Sequence, residues 1–193
     1  MHCAHGARRE PLSTYAVGVD VGGVIIAAGS SSNSGDGSGV REDTMMFSSD
    51  FLNTSEVPGA IDGVRWLVHK LGASNVFIIS KAGKAMQKRT LQWLDSKRFY
   101  ERTGMLEDHV LFTASRREKG AVAQRCGIHM FIDDKLECLQ AVSEVPWPTC
   151  GVLFGPQTHS TSENVFHSSA MTIATCMFWS DVMSLVTSTI KGR

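Results

Sequence analysis

The sequence predicts an α/β fold: a three-layer α/β/α sandwich in which helices cover both faces of a parallel sheet of about five strands. Two observations predict this fold class. Short runs rich in valine and isoleucine, typical of strands buried on both faces, alternate with segments whose apolar residues recur at helical spacing. The length of 193 residues suits one compact domain, which we expect over residues 15–193.

The first strand is expected in the apolar run from Tyr15 to Ala28, which has one charged residue, Asp20, near its middle. A lone buried carboxylate is costly unless it is paired or bound to a metal, so Asp20 is the first candidate site residue. Residues 29–57 are expected to be a flexible insertion, rich in glycine and serine at its start. Within it, Met45 to Leu52 is expected to form a short strand or a flap.

The later elements continue the alternation of strands and helices. The helices are expected at residues 58–72, 84–96, 117–127 and 136–142, and the strands at residues 75–80, 109–113, 128–134 and 150–155. Residues 1–14 are expected to be a flexible N-terminus. Residues 157–193 are expected to pack on the core as an extension, with a core or dimer-packing helix in the apolar stretch from Ala170 to Ile190.

Charge and cysteine usage argue against several classes of protein. Lysine plus arginine equals aspartate plus glutamate at 19 each, so no overall field favours nucleic acid or an anionic membrane surface. The stretch from Ala170 to Ile190 is interrupted by polar residues and does not fit a membrane span of about 20 apolar residues. Five scattered cysteines without CxxC spacing fit reduced thiols in a cytoplasmic protein. We therefore expect no nucleic-acid or membrane partner.

Polar residues with chemical potential fall at the ends of the expected strands. Ser80 ends the second strand, and Asp133 and Asp134 end the fourth. In parallel sheets ligands bind beyond the carboxyl ends of the strands, so these residues are expected to meet Asp20 at one edge. Structural alternatives remain: the aspartate pair could cap the next helix, and Lys119, near the start of the preceding helix, could be a solvated surface residue.

The order of these motifs resembles the haloacid dehalogenase-like superfamily, whose core is a Rossmann-like parallel sheet, and the resemblance covers most of the chain. It implies that Asp20 attacks phosphorus and forms an aspartyl-phosphate, while Lys119 neutralises the charge that gathers beside it. It also implies that Ser80 and the backbone amides of Lys81 and Ala82 hold the phosphate oxygens.

The same resemblance implies a Mg²⁺ site. Mg²⁺ prefers oxygen ligands, usually one or two carboxylates together with water and substrate phosphate. Asp20, Asp133 and the backbone carbonyl of Gly22 would supply the protein ligands, and Asp134 would bind directly or through water. The expected substrate or partner is a phosphorylated small molecule or macromolecule.

The first motif departs from the family pattern. Most phosphatases of the family read Asp-x-Asp, where the second aspartate protonates the leaving group and then activates water. Here the motif reads Asp20-Val21-Gly22, and general acid–base catalysis is typically worth about 10²–10⁴-fold in rate. Val24 also replaces the usual threonine. The chain is therefore either a weakened or specialised phosphohydrolase or a catalytically inactive relative that binds phosphate or a phosphorylated partner.

Residues 20–23 allow a third interpretation. Asp-Val-Gly-Gly is similar to the phosphate loop of actin-like sugar kinases. That fold needs two such domains, so this chain would be only a fragment of a kinase. The kinase interpretation also leaves Asp133 and Asp134 without a role.

The resemblance also bears on access to the site. Family members select substrates with cap domains, and the stretch between Ala28 and Pro58 is shorter than the roughly 40 residues that an independent domain needs. We expect a minimal-cap member whose open site suits macromolecular substrates or gains a lid from the second subunit of a homodimer. Four basic residues after the second strand are expected to form a solvated helix face or, as a less favoured alternative, to attract an anionic substrate. They are Lys81, Lys84, Lys88 and Arg89.

Overall fold

The structure, a computed structural model, describes residues 15–27, 44–145, 150–155 and 171–192. Its strands are β1 (Ala16–Val19), β2 (Val76–Lys81), β3 (Val110–Thr113), β4 (Ile128–Asp133), β5 (Cys150–Phe154) and β6 (Thr172–Cys176). Its α-helices are α1 (Thr44–Phe47), α2 (Ala60–Leu71), α3 (Lys84–Ser96), α4 (Phe99–Thr103), α5 (Arg116–Arg125), α6 (Leu136–Ser143) and α7 (Trp179–Lys191). Short 3₁₀ helices lie at Phe51–Asn53, Ala73–Asn75 and Glu107–His109.

The six strands form one parallel sheet in the order β3-β2-β1-β4-β5-β6. The strand β1 is therefore internal, with β2 on one side and β4 on the other. Because all the strands run the same way, their carboxyl ends meet at one edge, which we call the site edge. The predicted α/β fold with a Rossmann-like parallel sheet is confirmed, with six strands where about five were expected.

The two faces of the sheet carry separate apolar clusters. The major face is packed by α2, α3 and α7, and its buried residues include Val19, Ile61, Trp93, Trp179 and Val186. The minor face is packed by α5 and α6, and its buried residues include Ile79, Val122, Phe131, Leu139 and Val142. Alternation of side chains along each strand sends successive residues to opposite faces, which is why both clusters draw on the same strands.

Helices α2 and α7 pack closely because a glycine lies between them. The apolar residues of α2 recur every three or four positions and are buried, as in Ile61, Val64 and Leu67. Gly63, on the same helix, lies against the ring of Trp179, and a Cβ atom at this position would overlap that ring. The absence of a side chain at Gly63 therefore makes room for the largest residue of α7.

Three local predictions are wrong in part. The run from Tyr15 to Ala28 is not a single strand: β1 ends at Val19, and the chain then turns at a pair of glycines. The stretch from Met45 to Leu52 contains α1 and the start of a 3₁₀ helix instead of a strand. The stretch from Ala170 to Ile190 contains β6 before α7, so it is not one helix.

Some predictions lie outside the described residues: the flexible N-terminus (1–14), about half of the flexible insertion (29–43) and part of the C-terminal extension (157–170). Within the described ranges, no helix combines the length and apolar character needed to cross a membrane. The four described cysteines, Cys126, Cys138, Cys150 and Cys176, are free thiols.

Candidate functional site

The loop that follows β1 presents Asp20 at the site edge. The Asp20 amide donates to the carbonyl of Ile132 at 2.9 Å, which extends the pairing of β1 with β4 by one residue. The chain then turns back, and the amides of Ile25 and Ile26 both donate to the carbonyl of Val21 at 2.9 Å. Val21, Ile25 and Ile26 are buried in this turn. Residues 20–26, the Asp20 loop, are thus anchored by apolar side chains beneath a polar edge.

The two glycines of the Asp20 loop differ in what their positions tolerate. Gly23 has a φ of 74°, and a Cβ atom there would overlap the carboxylate of Asp134. Both features require glycine. Gly22 is exposed, and a Cβ atom built on it would meet no atom within 4 Å. The backbone geometry therefore leaves room for a side chain at Gly22, although the sequence has none.

Asp133 and Asp134 end β4 next to the Asp20 loop. The Asp133 side chain is fully buried; its Oδ1 accepts the amide proton of Lys135 at 3.0 Å, and its Oδ2 accepts from Lys119 Nζ at 2.7 Å. The Oδ1 atom of Asp134 is also buried, and it has no hydrogen-bond partner among the described residues. A buried carboxylate oxygen without a donor is costly, so this atom marks a place where a cation would be stabilised.

Lys119 reaches the site from the minor face, on the second turn of α5. That helix is capped by Ser115, whose side chain accepts the amide proton of Glu118. Lys119 is only 1% exposed, and its Nζ lies 2.9 Å from Asp20 Oδ1 and 2.7 Å from Asp133 Oδ2. Because Asp20 follows β1 and Asp133 ends β4, Lys119 links these two neighbouring strands. Its burial excludes the alternative that Lys119 is a solvated surface residue.

A glycine in β1 helps to place Lys119. The ring of Phe131 lies 5.7 Å from Lys119 Nζ, measured to the ring centroid. A Cβ atom at Gly18 would come within 2.9 Å of that ring. The close approach of β1 to Phe131 therefore depends on glycine, and it leaves the ring beneath the lysine, where a cation–π contact is favourable.

Burial and charge shift the pKa values of the site in a consistent pattern. Burial lowers the pKa of Lys119, but the carboxylates of Asp20 and Asp133 outweigh it and leave the pKa above its usual value, so the lysine stays charged. Burial, followed by repulsion from Asp20, raises the pKa of Asp133 to about 6 despite Lys119. Burial and repulsion from Asp133 and Asp20 raise the pKa of Asp134 to about 7. One lysine does not fully compensate three carboxylates.

The donor set fits a divalent cation. One carboxylate oxygen from each of Asp20, Asp133 and Asp134 lies within 4.8 Å of the other two. Carboxylate oxygens are the ligands that hard cations such as Mg²⁺ take in proteins. Together with the partnerless oxygen of Asp134 and the uncompensated negative charge, this spacing supports the sequence-based expectation that these three aspartates share a metal.

The predicted phosphate-binding residues lie on β2, beside β1. Ser80 is 8% exposed, and the register pairs Val19 with Ile78, which places Ser80 just beyond the level of Asp20. The Ala82 amide, however, donates to the carbonyl of Thr113 at 3.1 Å. This hydrogen bond to the end of β3 engages the amide within the fold, and its role in holding phosphate stays a prediction.

Thr113 is a polar residue of the site edge that the sequence interpretation missed. It ends β3, is 3% exposed, and its Oγ1 has no hydrogen-bond partner among the described residues. The rule that identified Ser80, a hydroxyl residue at the end of an apolar strand, also applies to Thr113. Like Asp134, it is a polar side chain at this edge with a buried oxygen that lacks a hydrogen-bond partner among the described residues.

Comparison with known proteins gives a likeness of fold. No protein-family model and no curated protein sequence matches the chain. A solved structure from Burkholderia xenovorans LB400, described as a candidate haloacid dehalogenase-like hydrolase, superposes with a TM-score of 0.50 at 21% sequence identity. The match covers 75% of this chain and 64% of the other, so this chain spans less than two thirds of that protein's length.

Proposed function

We propose that this protein, which has the haloacid dehalogenase-like fold of that hydrolase, is a Mg²⁺-dependent phosphohydrolase that acts through an aspartyl-phosphate on Asp20. One observation supports the proposal most directly: Lys119, almost fully buried, joins Asp20 to Asp133 at the carboxyl ends of adjacent strands. A lysine shared by two buried carboxylates beside a third suits a site where more negative charge arrives during the reaction.

In this mechanism each residue has a separate task. Oδ1 of Asp20 is buried against Lys119, which leaves Oδ2 to attack phosphorus while the bond to the leaving oxygen breaks and its electron pair departs with that oxygen. Bound Mg²⁺ would supply positive charge beside the phosphoryl oxygens. Water then attacks phosphorus, transfers its proton to a phosphate oxygen and releases inorganic phosphate and the Asp20 carboxylate. Ser80 would bind a phosphoryl oxygen throughout.

Gly22 sets the kind of leaving group that this site would handle. Glycine has no side chain to protonate the departing oxygen or to activate water, a contribution of about 10²–10⁴-fold in rate. Acyl and aryl phosphates release a stable anion and need little protonation. We therefore propose that these substrates react faster than alkyl phosphates.

The function is tested by hydrolysis of acetyl phosphate and p-nitrophenyl phosphate, with Mg²⁺ or with EDTA. Turnover is expected only with Mg²⁺ and should be lost in Asp20→Asn. Asp62→Asn is the matched control, because Asp62 is an exposed aspartate whose ion-pair partner among the described residues is exposed Arg65 at 3.0 Å. Equal turnover in Asp20→Asn and Asp62→Asn would refute a nucleophilic Asp20.

A substitution at Gly22 tests the missing acid directly. Because no atom lies within 4 Å of a Cβ atom at this position, Gly22→Asp is expected to fold normally. Hydrolysis of an alkyl phosphate such as glycerol 3-phosphate should rise by about 10²-fold, while hydrolysis of acetyl phosphate changes little. An equal change in the rates of hydrolysis of both substrates would show that the absence of a proton-transferring side chain at Gly22 does not limit the reaction.

Gly22 also favours a second candidate, a protein that binds phosphate without hydrolysing it. The metal and phosphate ligands would be the same in both cases. If neither substrate turns over, Mg²⁺-dependent binding of inorganic phosphate measured by calorimetry, with Asp20→Asn and Asp62→Asn beside the native chain, would identify the binding role. Absence of both turnover and binding would exclude both functions.

A further inference from the structure

The loops at the site edge carry four exposed basic side chains. Lys81 ends β2, Lys84 begins α3, Arg116 begins α5 and Lys135 precedes α6. None of the four forms an ion pair within the part of the chain that the structure describes. We call them the basic rim.

Several other basic residues have partners. Arg65 pairs with Asp62, Arg102 with Glu56, and Arg117, next to Arg116, pairs with Glu144 at 3.5 Å. Arg89, which the sequence grouped with the lysines after β2, is also engaged. It donates to the carbonyls of Met46 and Ser48 and lies over the ring of Phe51. Exposed basic residues without an ion pair among the described residues also occur away from the site edge, as at Lys70 and Arg125, so the basic rim is distinguished by its position at the strand ends.

The strand order places the basic rim around Asp20. Its members follow β2, β3 and β4, which lie on both sides of β1. With about 4.8 Å between neighbouring strands, the ends of β3 and β4 are about 14 Å apart. The rim therefore spans a width greater than that of one phosphoryl group, with the Asp20 loop inside it.

Charge compensation suggests what the rim is for. With one divalent cation bound, the three carboxylates are balanced by Lys119 and the metal, and an arriving phosphoryl dianion meets the rim. Glu118, an acidic side chain nearby, keeps its negative charge while its carboxylate is bonded to the Ala114 amide and the Ser115 hydroxyl, and it offsets one rim charge. Glu137, in the first turn of α6, offsets one rim charge. With both glutamates counted, two of the four rim charges remain, and they are spread over about 14 Å, a width greater than that of one phosphoryl group, although the whole chain is neutral.

We propose that the substrate carries, besides the phosphoryl group that reacts, a second anionic group on its leaving-group side, a carboxylate or another phosphate, which the basic rim binds. This rests on the proposed function and adds the substrate class. Arginine favours carboxylate and phosphate through paired donors, so Arg116 is the member expected to contribute most.

The test uses two substrates that differ only in that second charge. They are the phosphate monoester of 3-(4-hydroxyphenyl)propionate and the monoester of its uncharged N-methylamide, in which the phenol leaving groups are alike. The native chain with Mg²⁺ is expected to hydrolyse the carboxylate about tenfold more efficiently in kcat/KM at low salt. The preference should shrink at high salt, because exposed charges are screened.

Substitutions locate the effect. Lys84→Gln with Arg116→Gln and Lys135→Gln should bring the ratio of the two kcat/KM values close to one. Lys70→Gln with Arg125→Gln is the matched control, because both residues are exposed and lie at or near the opposite ends of α2 and α5. A ratio of one in the native chain, with both substrates turned over, overturns this inference and leaves the phosphohydrolase intact.

Two further arms complete the test. If neither compound is hydrolysed, the phosphohydrolase proposal fails, and calorimetric affinities of the two compounds with Mg²⁺ decide the inference: a tenfold preference supports it and equal affinity overturns it. The second anionic group could belong to a small ester or to a phosphoprotein. A phosphotyrosine peptide with glutamate neighbours, compared with one with alanine neighbours, distinguishes these two substrates. If the ratio of kcat/KM values for the charged and uncharged compounds is larger for the peptides than for the small esters, the substrate is an acidic phosphoprotein. If it is smaller, the substrate is a small ester with a second anionic group.

Discussion

The two faces of the sheet hold the site in different ways. On the major face, α2, α3 and α7 pack apolar side chains against the strands, and the polar atoms they bury include two indole N–H groups with carbonyl partners. On the minor face, α5 and α6 cover a smaller apolar cluster, and α5 inserts the charged Lys119. The Asp20 loop contacts helices of both faces, since Lys119 of α5 pairs with Asp20 and Trp179 of α7 donates to the carbonyl of Val24 at 3.0 Å.

This difference separates two requirements of the site. The minor face supplies charge, which is costly to bury and depends on partners. The major face supplies fixed geometry, which comes from apolar packing and one hydrogen bond to the loop backbone. Variants on the minor face should therefore change electrostatics and metal binding, whereas variants on the major face should change the position of the loop.

The largest expected effect comes from Lys119→Met. Removing the lysine leaves two buried carboxylates without their cation, and breaking such a pair typically costs about 3–5 kcal/mol. Urea unfolding in EDTA should show this loss, and Asp133→Asn added to Lys119→Met should recover part of it. On the major face Ile61→Val, a loss of one methylene, should cost only about 0.5–1.5 kcal/mol. A loss below 1 kcal/mol for Lys119→Met would mean that the ion pairs of Lys119 with Asp20 and Asp133 contribute little to the stability of the fold.

Metal binding should have the next largest effect. A ligand at 100 times its dissociation constant stabilises the folded state by about 2.7 kcal/mol, which for a chain of this size is a rise in Tm of about 5–10 °C. Differential scanning fluorimetry with and without Mg²⁺ measures it. Asp134→Asn should remove most of the rise, because it takes away the carboxylate with a partnerless oxygen. Asp62→Asn should keep it; a rise that persists in Asp134→Asn would place the metal elsewhere.

The smallest effect on stability is expected from substitutions of two tryptophans of the major face, one of which should also change the position of the Asp20 loop. Trp179 Nε1 donates to Val24, and Trp93 Nε1 donates to the carbonyl of Thr54 at 2.8 Å. Trp179→Phe and Trp93→Phe should each cost about 1 kcal/mol in free energy of unfolding. Only Trp179→Phe should lower kcat, by about tenfold, because only its bond positions the Asp20 loop. Equal kcat values in the two variants would show that the loop does not depend on Trp179.

Much of the site could be predicted from the sequence because it follows from topology. Ser80, Asp133 and Asp134 end apolar runs, and strand ends of a parallel sheet must meet at one edge. The burial of Lys119 could not be derived in this way. Its neighbours Arg116 and Arg117 are exposed, and local composition indicates a solvated helix. Only the packing of α5 against β4 turns this one residue inward.

The errors in the fold have local causes. Val24, Ile25 and Ile26 continue the apolar run of β1, so the sequence indicates one long strand, whereas Gly23 at positive φ turns the chain back. The edge strand β6 reads Thr-Ile-Ala-Thr-Cys and is half buried, which gives a weak alternation. With only two residues between β6 and α7, the two elements read together as one apolar segment.

The hydrogen bond between Trp179 and Val24 joins residues 155 positions apart. Because translation proceeds from the N-terminus, Asp20, Lys119 and the Asp133–Asp134 pair are all synthesised before Trp179. A nascent chain therefore possesses every acidic group of the site well before the loop that carries Asp20 can be fastened. The order of translation makes fixing the loop one of the last events in the maturation of the site, so chains that end before Trp179 should carry Asp20 on a loop without this hydrogen bond.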